Sequence, residues 1–574
     1  MRAGSTARQR THALPPLAAV CGCWQTTPLV LPKRVRCEAL KSLAAVITRL
    51  EQHIQHVMQQ SGVGGLAFAI TDRGRLLAVG AAGFADIAAQ RPVTSETHFE
   101  ICSITKSFTA LAVMQLHEQG VIDIHRSITT YLPWCTVKSG GMSPITTYHL
   151  LSHSANITPG PDWTLGSPYA AWYLRETEAL AEPGGALWRY SDTGYEILGS
   201  LLEATYQYPF SEIIQRQIFE PLGMISSFPA ITYETRKTTA LGYQSFYDDR
   251  PYHSGYPLVP AYWFEYESPA GSIISTVADM ATYLRMYLNR GQGDKHRLLK
   301  EQTFEQMIQP IVQGMFGHYG LGLSIVDRNG HLIVGHGGGM MGFNTTIQGD
   351  LDAGLGFVLL MTGTTFPSAV AGYALQLLCA ASEDTGLPDV PTPTNPERTP
   401  DASEYTGLFT HTEDAKRTLL FTAEDEHLVL HYQGEKIILQ QKWGDQFLIP
   451  HPDFSRFLGE FTRVNGKVTE FTHGGDWYVT AAYQGPLTFD HPIEWAAYAG
   501  HYFCTDVWSG HIRIVLRKGR LYVVNPAGFE DELQPQEDGS FKTSQDHLRF
   551  HDVLDGHAVR LSMNGTQYTR RRNP

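Results

Sequence analysis

The segment Ser103-Ile104-Thr105-Lys106 begins an almost continuous apolar stretch that runs to Leu116 and is followed by Gly120. Residues i and i+3 of a helix share a face, so this segment places an ammonium one turn from a hydroxyl. An ammonium in that position can help to deprotonate the hydroxyl, which makes Ser103 a candidate nucleophile. The apolar stretch predicts a helix that is buried on nearly all sides and that stops at the glycine.

Two later segments carry groups that could complete a site around this serine. A Pro-Gly-Gly turn at residues 183–185 leads into a segment that presents Tyr190 beside Asp192. The strand-like run His331–Val334 is followed by the glycine-rich run Gly335–Gly339, which contains His336. Glycines let another backbone or a substrate approach closely and leave amide hydrogens exposed. Serine, lysine, tyrosine, histidine and a glycine strand edge therefore occur in the order of one known kind of active site.

Taken together, these motifs resemble those of the serine β-lactamase and penicillin-binding superfamily. The nearest branch is that of class C β-lactamases, D-stereospecific peptidases and esterases, and the S-x-x-K pattern is matched directly. The motif Y-S-D at Tyr190–Asp192 stands where this branch usually has Y-x-N. The motif H-G-G at His336–Gly338 stands where β-lactamases have K-T-G. The resemblance covers about residues 45 to 380.

The resemblance implies a cofactor-independent serine hydrolase that works through an acyl-enzyme. Ser103 would attack a carbonyl carbon, and Lys106 and Tyr190 would share its activation. Tyr190 could serve as a phenolate base if nearby positive charge lowers its pKa. The backbone amide of Ser103 is an expected oxyanion donor. The other residues that the resemblance places around the substrate and the oxyanion are Asp192, His336, Gly338 and Gly339.

Simpler interpretations exist for three of these residues. Tyr190 could be a structural tyrosine with its hydroxyl satisfied in the core, since Tyr195 lies nearby, and His336 could be a strand-end residue beside a glycine turn. An ionised Asp192 only accepts hydrogen bonds, whereas an asparagine both donates and accepts. Near Lys106, this carboxylate would raise the pKa of the lysine and favour an electrostatic role over a basic one.

The histidine in the third motif bears on the substrate. A neutral histidine is a weaker anchor for a substrate carboxylate than a lysine, and it titrates near physiological pH. Esters, amides and peptides cut from the amino end therefore become the favoured substrates, as in esterases or D-aminopeptidases. A β-lactamase remains an alternative. A penicillin-binding sensor that is acylated once without turnover is the alternative from another class.

Other kinds of site find little support. The sequence has no G-x-S-x-G, so an α/β-hydrolase nucleophile elbow is not expected. His149 and His153 have metal-ligand spacing but no H-E-x-x-H and no third ligand, which favours structural histidines and no metal. A net charge of -13 without a basic stripe argues against nucleic acid. The expected partner is a small molecule or short peptide, and a homo-oligomer is possible.

Composition and length indicate the general class of protein and its number of domains. A chain of 574 residues with 43% hydrophobic and 18% charged residues can form several packed domains. Seven cysteines without framework spacing make a disulfide scaffold improbable. The sequence contains no apolar run of about 18 residues, so no transmembrane segment is predicted. Residues 1–42 are interpreted as a disordered or mis-started stub, with the cytoplasm as the default location and an extracytoplasmic one as the alternative.

The chain predicts an α+β hydrolase domain followed by two β modules. The expected fold is an antiparallel sheet flanked by helices, with a helical subdomain and the site in the groove between them. A duplication is visible, because Tyr405-Thr406-Gly407 recurs as Tyr498-Ala499-Gly500. Small antiparallel barrels, as in D-aminopeptidases of this branch, are expected for the repeats. The predicted parts are the hydrolase domain at 43–384, a Pro-rich linker at 385–402, and β-barrel modules at 403–486 and 487–574.

Overall fold

The computed structural model of the protein describes residues 43–136, 142–157, 181–185, 187–315, 317–505, 510–543 and 546–571. The expected stub at residues 1–42 lies outside these ranges. Helices in the described ranges are α1 (Leu43–Gln60), α2 (Thr105–Glu118), α3 (Thr147–Leu151), α4 (Asp192–Tyr206), α5 (Phe210–Ile214), α6 (Glu220–Leu222), α7 (Tyr233–Arg236), α8 (Val277–Leu288), α9 (Glu301–Met307), α10 (Ser368–Ser382) and α11 (Trp495–Tyr498).

An antiparallel sheet of nine described strands organises the hydrolase region, in the order β3-β2-β1-β13-β12-β11-β10-β9-β8. Two short strand pairs, β4 with β7 and β5 with β6, lie outside it. The strands are β1 (Val63–Asp72), β2 (Leu76–Asp86), β3 (Arg91–Pro92), β4 (Phe99–Glu100), β5 (Tyr243–Ser245), β6 (Leu258–Pro260), β7 (Ile274–Ser275), β8 (Val312–Gly314), β9 (Gly317–Tyr319), β10 (Ser324–Arg328), β11 (His331–Met340), β12 (Phe343–Asp350) and β13 (Leu355–Gly363).

Strand β1 shows how the sheet separates two hydrophobic cores. Successive side chains of a strand point to opposite faces. Leu66, Phe68 and Ile70 join the core formed with α1 and α10. Ala67 and Ala69 join the larger core on the other face, which contains α2 and α8. Because both faces of β1 are covered, the strand reads as a continuous apolar run rather than as an alternating one.

Helix α2 carries the predicted nucleophile into the larger core. Every residue from Thr105 to Leu116 is buried, and Phe108 stacks on Tyr283 with ring centroids 3.7 Å apart. The chain reverses after the helix at Gly120, whose φ of +73° is a left-handed conformation that favours glycine. The predicted helix that is buried on nearly all sides is confirmed.

Strand β11 is longer than the sequence predicted. The strand-like run ended at Val334, whereas the strand pairs with β12 as far as Met340. The glycines therefore belong to the strand itself. One physical reason is space: a Cβ on Gly335 would lie 2.0 Å from the Ile347 carbonyl oxygen.

The C-terminal region forms two nearly closed antiparallel sheets, each with nine strands in the described residues. Numbered from its own first strand, each sheet has the order 4-3-2-1-9-8-7-6-5, which is the topology that a duplication produces. Together with the helices and the antiparallel sheet of the hydrolase region, these sheets confirm the α+β class. The strands are β14 (Gly407–His411), β15 (Thr418–Glu424), β16 (His427–Tyr432), β17 (Glu435–Ile438), β18 (Gln440–Trp443), β19 (Gln446–Leu448), β20 (Gly459–Val464), β21 (Lys467–His473), β22 (Asp476–Val479), β23 (Gly500–Phe503), β24 (His511–Arg517), β25 (Arg520–Val524), β26 (Glu530–Glu532), β27 (Gln534–Pro535), β28 (Phe541–Lys542), β29 (His547–Leu554), β30 (His557–Met563) and β31 (Thr566–Arg570).

The loop between β5 and β6 touches both C-terminal sheets. Arg250 donates to the Ser455 hydroxyl of the first sheet at 3.0 Å. Asp249 accepts from the Arg513 guanidinium of the second sheet at 2.9 Å. Burial raises the pKa of Asp249, but the neighbouring Arg250 and Arg513 outweigh it and lower this pKa to about 2. The loop, called the connecting loop below, thus joins three parts of the chain.

Among the helices in the described ranges, none combines the length and the apolar character that crossing a membrane demands.

Candidate active site

Ser103 lies in a short 3₁₀ turn, Cys102–Ile104, that leads directly into α2. Cys102 has a φ of +57°, a left-handed conformation that costs a non-glycine residue about 1–3 kcal/mol. Its thiol is buried and donates to the Glu100 carbonyl oxygen at 3.3 Å. The amide of Ile101 donates to the Ile273 carbonyl oxygen at 2.9 Å. Surrounding contacts therefore hold a strained turn that presents the serine at the helix mouth.

Gly338 allows β11 to pack directly against this turn. A Cβ at this position would lie 2.3 Å from both the Ile101 carbonyl oxygen and the Thr345 hydroxyl oxygen. The Thr345 hydroxyl in turn donates to the Ile101 carbonyl oxygen at 2.9 Å. The next residue, Gly339, lines the same pocket as Ser103. The glycine run thus has a steric role that brings the strand to the nucleophile.

Lys106 is fully buried, and its ammonium contacts a hydroxyl, a backbone carbonyl and a carboxylate. It donates to the Ser103 hydroxyl oxygen at 3.0 Å and to the Ala270 carbonyl oxygen at 2.9 Å. It also forms an ion pair with Asp192, the first residue of α4. Burial alone would lower the pKa of Lys106, but Asp192 and then Tyr190 outweigh it and raise this pKa. The lysine is therefore a charged donor to Ser103 rather than an acceptor for its proton.

Tyr190 lies beside the lysine and lines the same pocket as the serine. The Lys106 ammonium is 4.7 Å from the centroid of its ring, and its hydroxyl interacts with both Lys106 and Ser103. Burial raises the pKa of Tyr190, and the lowering effect of Lys106 offsets this only in part. The resting side chain is therefore a neutral phenol at pH 7. The hydroxyl and the ammonium come from one segment, and the phenol joins them from a segment more than 80 residues later in the chain.

His153 holds the backbone on both sides of Tyr190. Its carbonyl oxygen accepts from the Arg189 amide at 2.9 Å, and its Nδ1 accepts from the Ser191 amide at 3.1 Å. Burial, followed by the charge of Lys106, lowers the pKa of His153 well below its usual value, so the ring is neutral. The sequence predicted only a structural role for this histidine. The contact spans 38 residues along the chain and leaves no local spacing signal.

We expect His153→Ala to lower kcat by about 10-fold to 100-fold, because a small misplacement of a catalytic group is costly. The amide of Ser191 loses its acceptor, while Ser103 and Lys106 keep their own contacts. The measurement is steady-state hydrolysis together with labelling of Ser103 by a serine-reactive phosphonate. His149→Ala is the matched control, since its Nδ1 bonds the Thr146 amide at the start of α3 and not the tyrosine segment. Equal rates for the two variants would contradict the positioning role.

Both ring nitrogens of His336 are bonded to groups other than Ser103. Its Nδ1 donates to the Gly337 carbonyl oxygen at 2.5 Å, and its Nε2 lies 2.9 Å from the Tyr319 hydroxyl. Burial, followed by Lys106, lowers the pKa of His336 to about 3, so the imidazole is neutral. A carbonyl oxygen can only accept, which assigns the hydrogen to Nδ1 and makes Nε2 the acceptor from Tyr319. The histidine thus supports the wall behind Tyr190, 6.4 Å away between ring centroids.

A pocket of about 180 Å³ opens in front of Ser103. Its wall is largely aromatic and apolar, and Asp192 is the ionisable carboxyl group in it; among the described residues of the wall no cationic side chain occurs. Nothing in the sequence pattern had singled out Phe264, Tyr266 or Met340. The lining residues are Cys102, Ser103, Tyr190, Asp192, Phe264, Tyr266, Ala270, Gly271, Gly339 and Met340.

The arrangement places a hydroxyl with activating neighbours in a pocket on an α+β fold, as in hydrolases that act through a serine. Residues 50–382 match the profile of the family described as Beta-lactamase. The match covers more than half of the chain, and the protein belongs to this family. It therefore has the serine hydrolase fold of the β-lactamase and penicillin-binding superfamily. The predicted class C-like branch stays a prediction.

Individual relatives are distant. Protein flp of Staphylococcus aureus (strain NCTC 8325 / PS 47) is 22% identical over 323 residues, which are 54% of this chain and 62% of that protein. Penicillin-binding protein 4* of Bacillus subtilis (strain 168) is 29% identical over 157 residues, or 25% of this chain and 33% of that protein. The chain thus spans less than two thirds of the length of these relatives.

A solved structure shows the same fold. The octameric penicillin-binding protein homologue from Pyrococcus abyssi superposes with a TM-score of 0.54 and 24% sequence identity. The similarity covers 76% of this chain and 98% of the other one. At this level of identity the likeness supports the fold and leaves the substrate open.

Proposed function

We propose that the protein hydrolyses small esters or amides through an acyl-enzyme on Ser103, with an esterase-like or D-aminopeptidase-like substrate range. The observation that carries this proposal is the 3.0 Å contact between the Lys106 ammonium and the Ser103 hydroxyl oxygen. The ring of Tyr190 lies beside them, with its centroid 4.7 Å from the ammonium. One nucleophile and two activating groups are thus close neighbours. This is the arrangement that covalent catalysis by a serine requires.

Tyr190 is suited to act as a proton relay. Its neutral phenol oxygen accepts the Ser103 proton as the serine attacks, and its own proton passes to the leaving oxygen or nitrogen of the substrate. The net result is one new Ser103–acyl bond, one broken ester or amide bond and one proton moved. The Lys106 ammonium stabilises the negative charge that develops on the serine oxygen as its proton leaves. In the second half of the cycle, water replaces the leaving group and the relay runs in reverse.

Two backbone amides are the proposed oxyanion donors. Ser103 and Gly339 line the same pocket, one from the helix mouth and one from β11. Fixed donors at the developing oxyanion are typically worth about 10²–10³-fold in kcat each. The steric requirement at Gly338 keeps this strand close enough to contribute one of them.

The pocket favours a substrate without a free carboxylate. Its described wall has no cationic side chain that could bind a carboxylate. Lys106 is buried and already paired with Asp192, so the charges of these two groups offset each other. His336 is neutral and bonded to Tyr319. A volume of about 180 Å³ suits a small acyl group. These features support esters and amides over carboxylate-bearing β-lactams.

A panel of three chromogenic substrates tests the proposal: a short-chain ester, a D-amino acid anilide and a cephalosporin. We expect multiple turnovers on the ester or the anilide, with a higher kcat/KM than on the cephalosporin. Fastest turnover of the cephalosporin would identify a β-lactamase instead. A stoichiometric burst without turnover on all three would identify a sensor.

We expect Tyr190→Phe to lower kcat by about 10²–10⁴-fold with KM nearly unchanged, because the relay is lost while the pocket keeps its shape. The measurement is steady-state kinetics on the best substrate of the panel, with a phosphonate to count intact nucleophiles. Tyr262→Phe, at a largely exposed tyrosine, is the matched control and should keep the wild-type rate. Undiminished kcat in Tyr190→Phe would remove this residue from the mechanism.

A further inference from the structure

A second cluster of reactive side chains lies at the opposite end of β11 from the catalytic pocket. His331 is the first residue of β11, Asp350 is the last residue of β12, and Cys379 lies in the last turn of α10. A strand rises about 3.3 Å per residue, so the eight-residue separation from Gly339 places His331 roughly 26 Å away along β11. Any function of this cluster is therefore separate from the proposed hydrolysis.

The three side chains converge on a small volume. His331 Nδ1 is 2.7 Å from Asp350 Oδ2, and Cys379 Sγ is 3.4 Å from the same oxygen. These three ligand atoms all lie within 4.8 Å of one another. An imidazole nitrogen, a thiol and a carboxylate are the donor types that Zn²⁺ takes, at about 2.0–2.3 Å from the metal. Tetrahedral ligands at such bond lengths are about 3.3–3.8 Å apart, so the cluster needs only small side-chain shifts to enclose an ion.

Outer contacts already orient two of the ligands. His331 Nε2 lies 3.0 Å from the Glu383 carboxylate, which leaves Nδ1 directed at the cluster. Asp350 Oδ1 accepts from the amides of Asp352 and Ala353, at 3.0 and 2.8 Å, which leaves Oδ2 directed at the cluster. A metal-bound histidine almost always donates the N–H of its other ring nitrogen to a carboxylate or a carbonyl in this way. The contacts therefore have the form of a second coordination sphere.

From this geometry we propose that His331, Asp350 and Cys379 form a binding site for a zinc-type divalent cation. The ion takes one ligand atom from each residue and a water molecule in the fourth position. The hydrogens on Nδ1 and Sγ leave as protons when the ion binds, so no oxidant or reductant is involved. The bound ion ties the end of α10 to the ends of β11 and β12, which makes the site structural. The sequence predicted no metal, since positions 331, 350 and 379 share no motif spacing.

Cobalt provides a direct test on the full chain, because a thiolate bound to Co²⁺ gives a charge-transfer band in the near ultraviolet. We expect one equivalent of Co²⁺ to produce this band, Zn²⁺ to displace it, and excess Zn²⁺ to raise the Tm. Cys379→Ser should abolish the band. Cys504→Ser is the matched control, since this buried thiol belongs to the hydrophobic core of the second C-terminal sheet, and it should keep the band. Hydrolysis by Ser103 should be the same with and without the metal.

Glu383→Gln is a second variant that does not depend on a change in the core, because about half of this carboxylate is exposed. It should weaken Zn²⁺ binding about 10-fold to 100-fold while keeping the Co²⁺ band, as loss of an outer carboxylate does at metal-bound histidines. Absence of the band at a tenfold excess of Co²⁺ overturns the proposal. So does a band of equal intensity in Cys379→Ser, or a Zn²⁺ affinity that Glu383→Gln leaves unchanged.

Discussion

Ser103→Ala is expected to lower kcat by about 10⁶-fold, the scale of loss seen when the nucleophile of a serine hydrolase is removed. The same variant should take up no phosphonate, because the covalent bond forms on the Ser103 oxygen. The measurement is the intact mass of the protein after incubation with the phosphonate, in parallel with hydrolysis of the best panel substrate. The fold should survive, since Ser103 is a partly exposed residue at the helix mouth.

The control for this experiment is Ser95→Ala. The Ser95 hydroxyl contacts the neighbouring Glu96 carboxylate at the surface, at 2.6 Å, and its loss should change neither labelling nor rate. Full labelling of Ser103→Ala by the phosphonate would show that another group is the nucleophile and would contradict the proposed mechanism.

Lys106→Met is expected to have the second-largest effect, on rate and on stability together. It removes the donor to the Ser103 hydroxyl and leaves Asp192 without its partner in a site where the lysine side chain is 1% exposed and the aspartate 17%. Removing one partner of a buried ion pair typically costs about 3–5 kcal/mol of unfolding free energy. We also expect kcat to fall by at least about 10³-fold, because the developing charge loses its nearest cation. Urea unfolding and steady-state kinetics measure the two effects.

A double variant separates these two effects. Lys106→Met with Asp192→Asn leaves no unpaired buried charge, so it should recover much of the lost stability while kcat stays low. Asp192→Asn alone keeps an oxygen that can accept from Lys106 and restores the motif common in the branch. A double variant with wild-type kcat would contradict the electrostatic role of the lysine.

The parts of the site that sequence reasoning could anticipate depend on local rules. Ser103 and Lys106 were predictable as neighbours because i and i+3 share a helix face, whatever the rest of the chain does. The buried environment of α2 followed from its unbroken apolar composition. Tyr190 and Asp192 required the family resemblance, since nothing local ties residue 190 to residue 103. Their convergence depends on how α2 and α4 pack.

The parts that sequence reasoning missed depend on long-range contacts and on backbone atoms. His153 acts through its carbonyl oxygen and Nδ1 on the segment around Tyr190, and a backbone acceptor carries no side-chain signature. The bonding partners of His336 could not be predicted either, because β11 was expected to end at Val334, before this residue. Phe264 and Tyr266 reach the pocket from a segment without any recognisable motif.

The connecting loop has a practical consequence for anyone who wishes to shorten this protein. It runs from β5 to β6, and Phe264 and Tyr266 of the pocket wall follow only a few residues later. Excising the chain after residue 402 would strip Asp249 of the Arg513 guanidinium and Arg250 of the Ser455 hydroxyl. In such a truncated protein, the connecting loop next to the substrate pocket would lose these two contacts. We therefore expect its substrate preference to change.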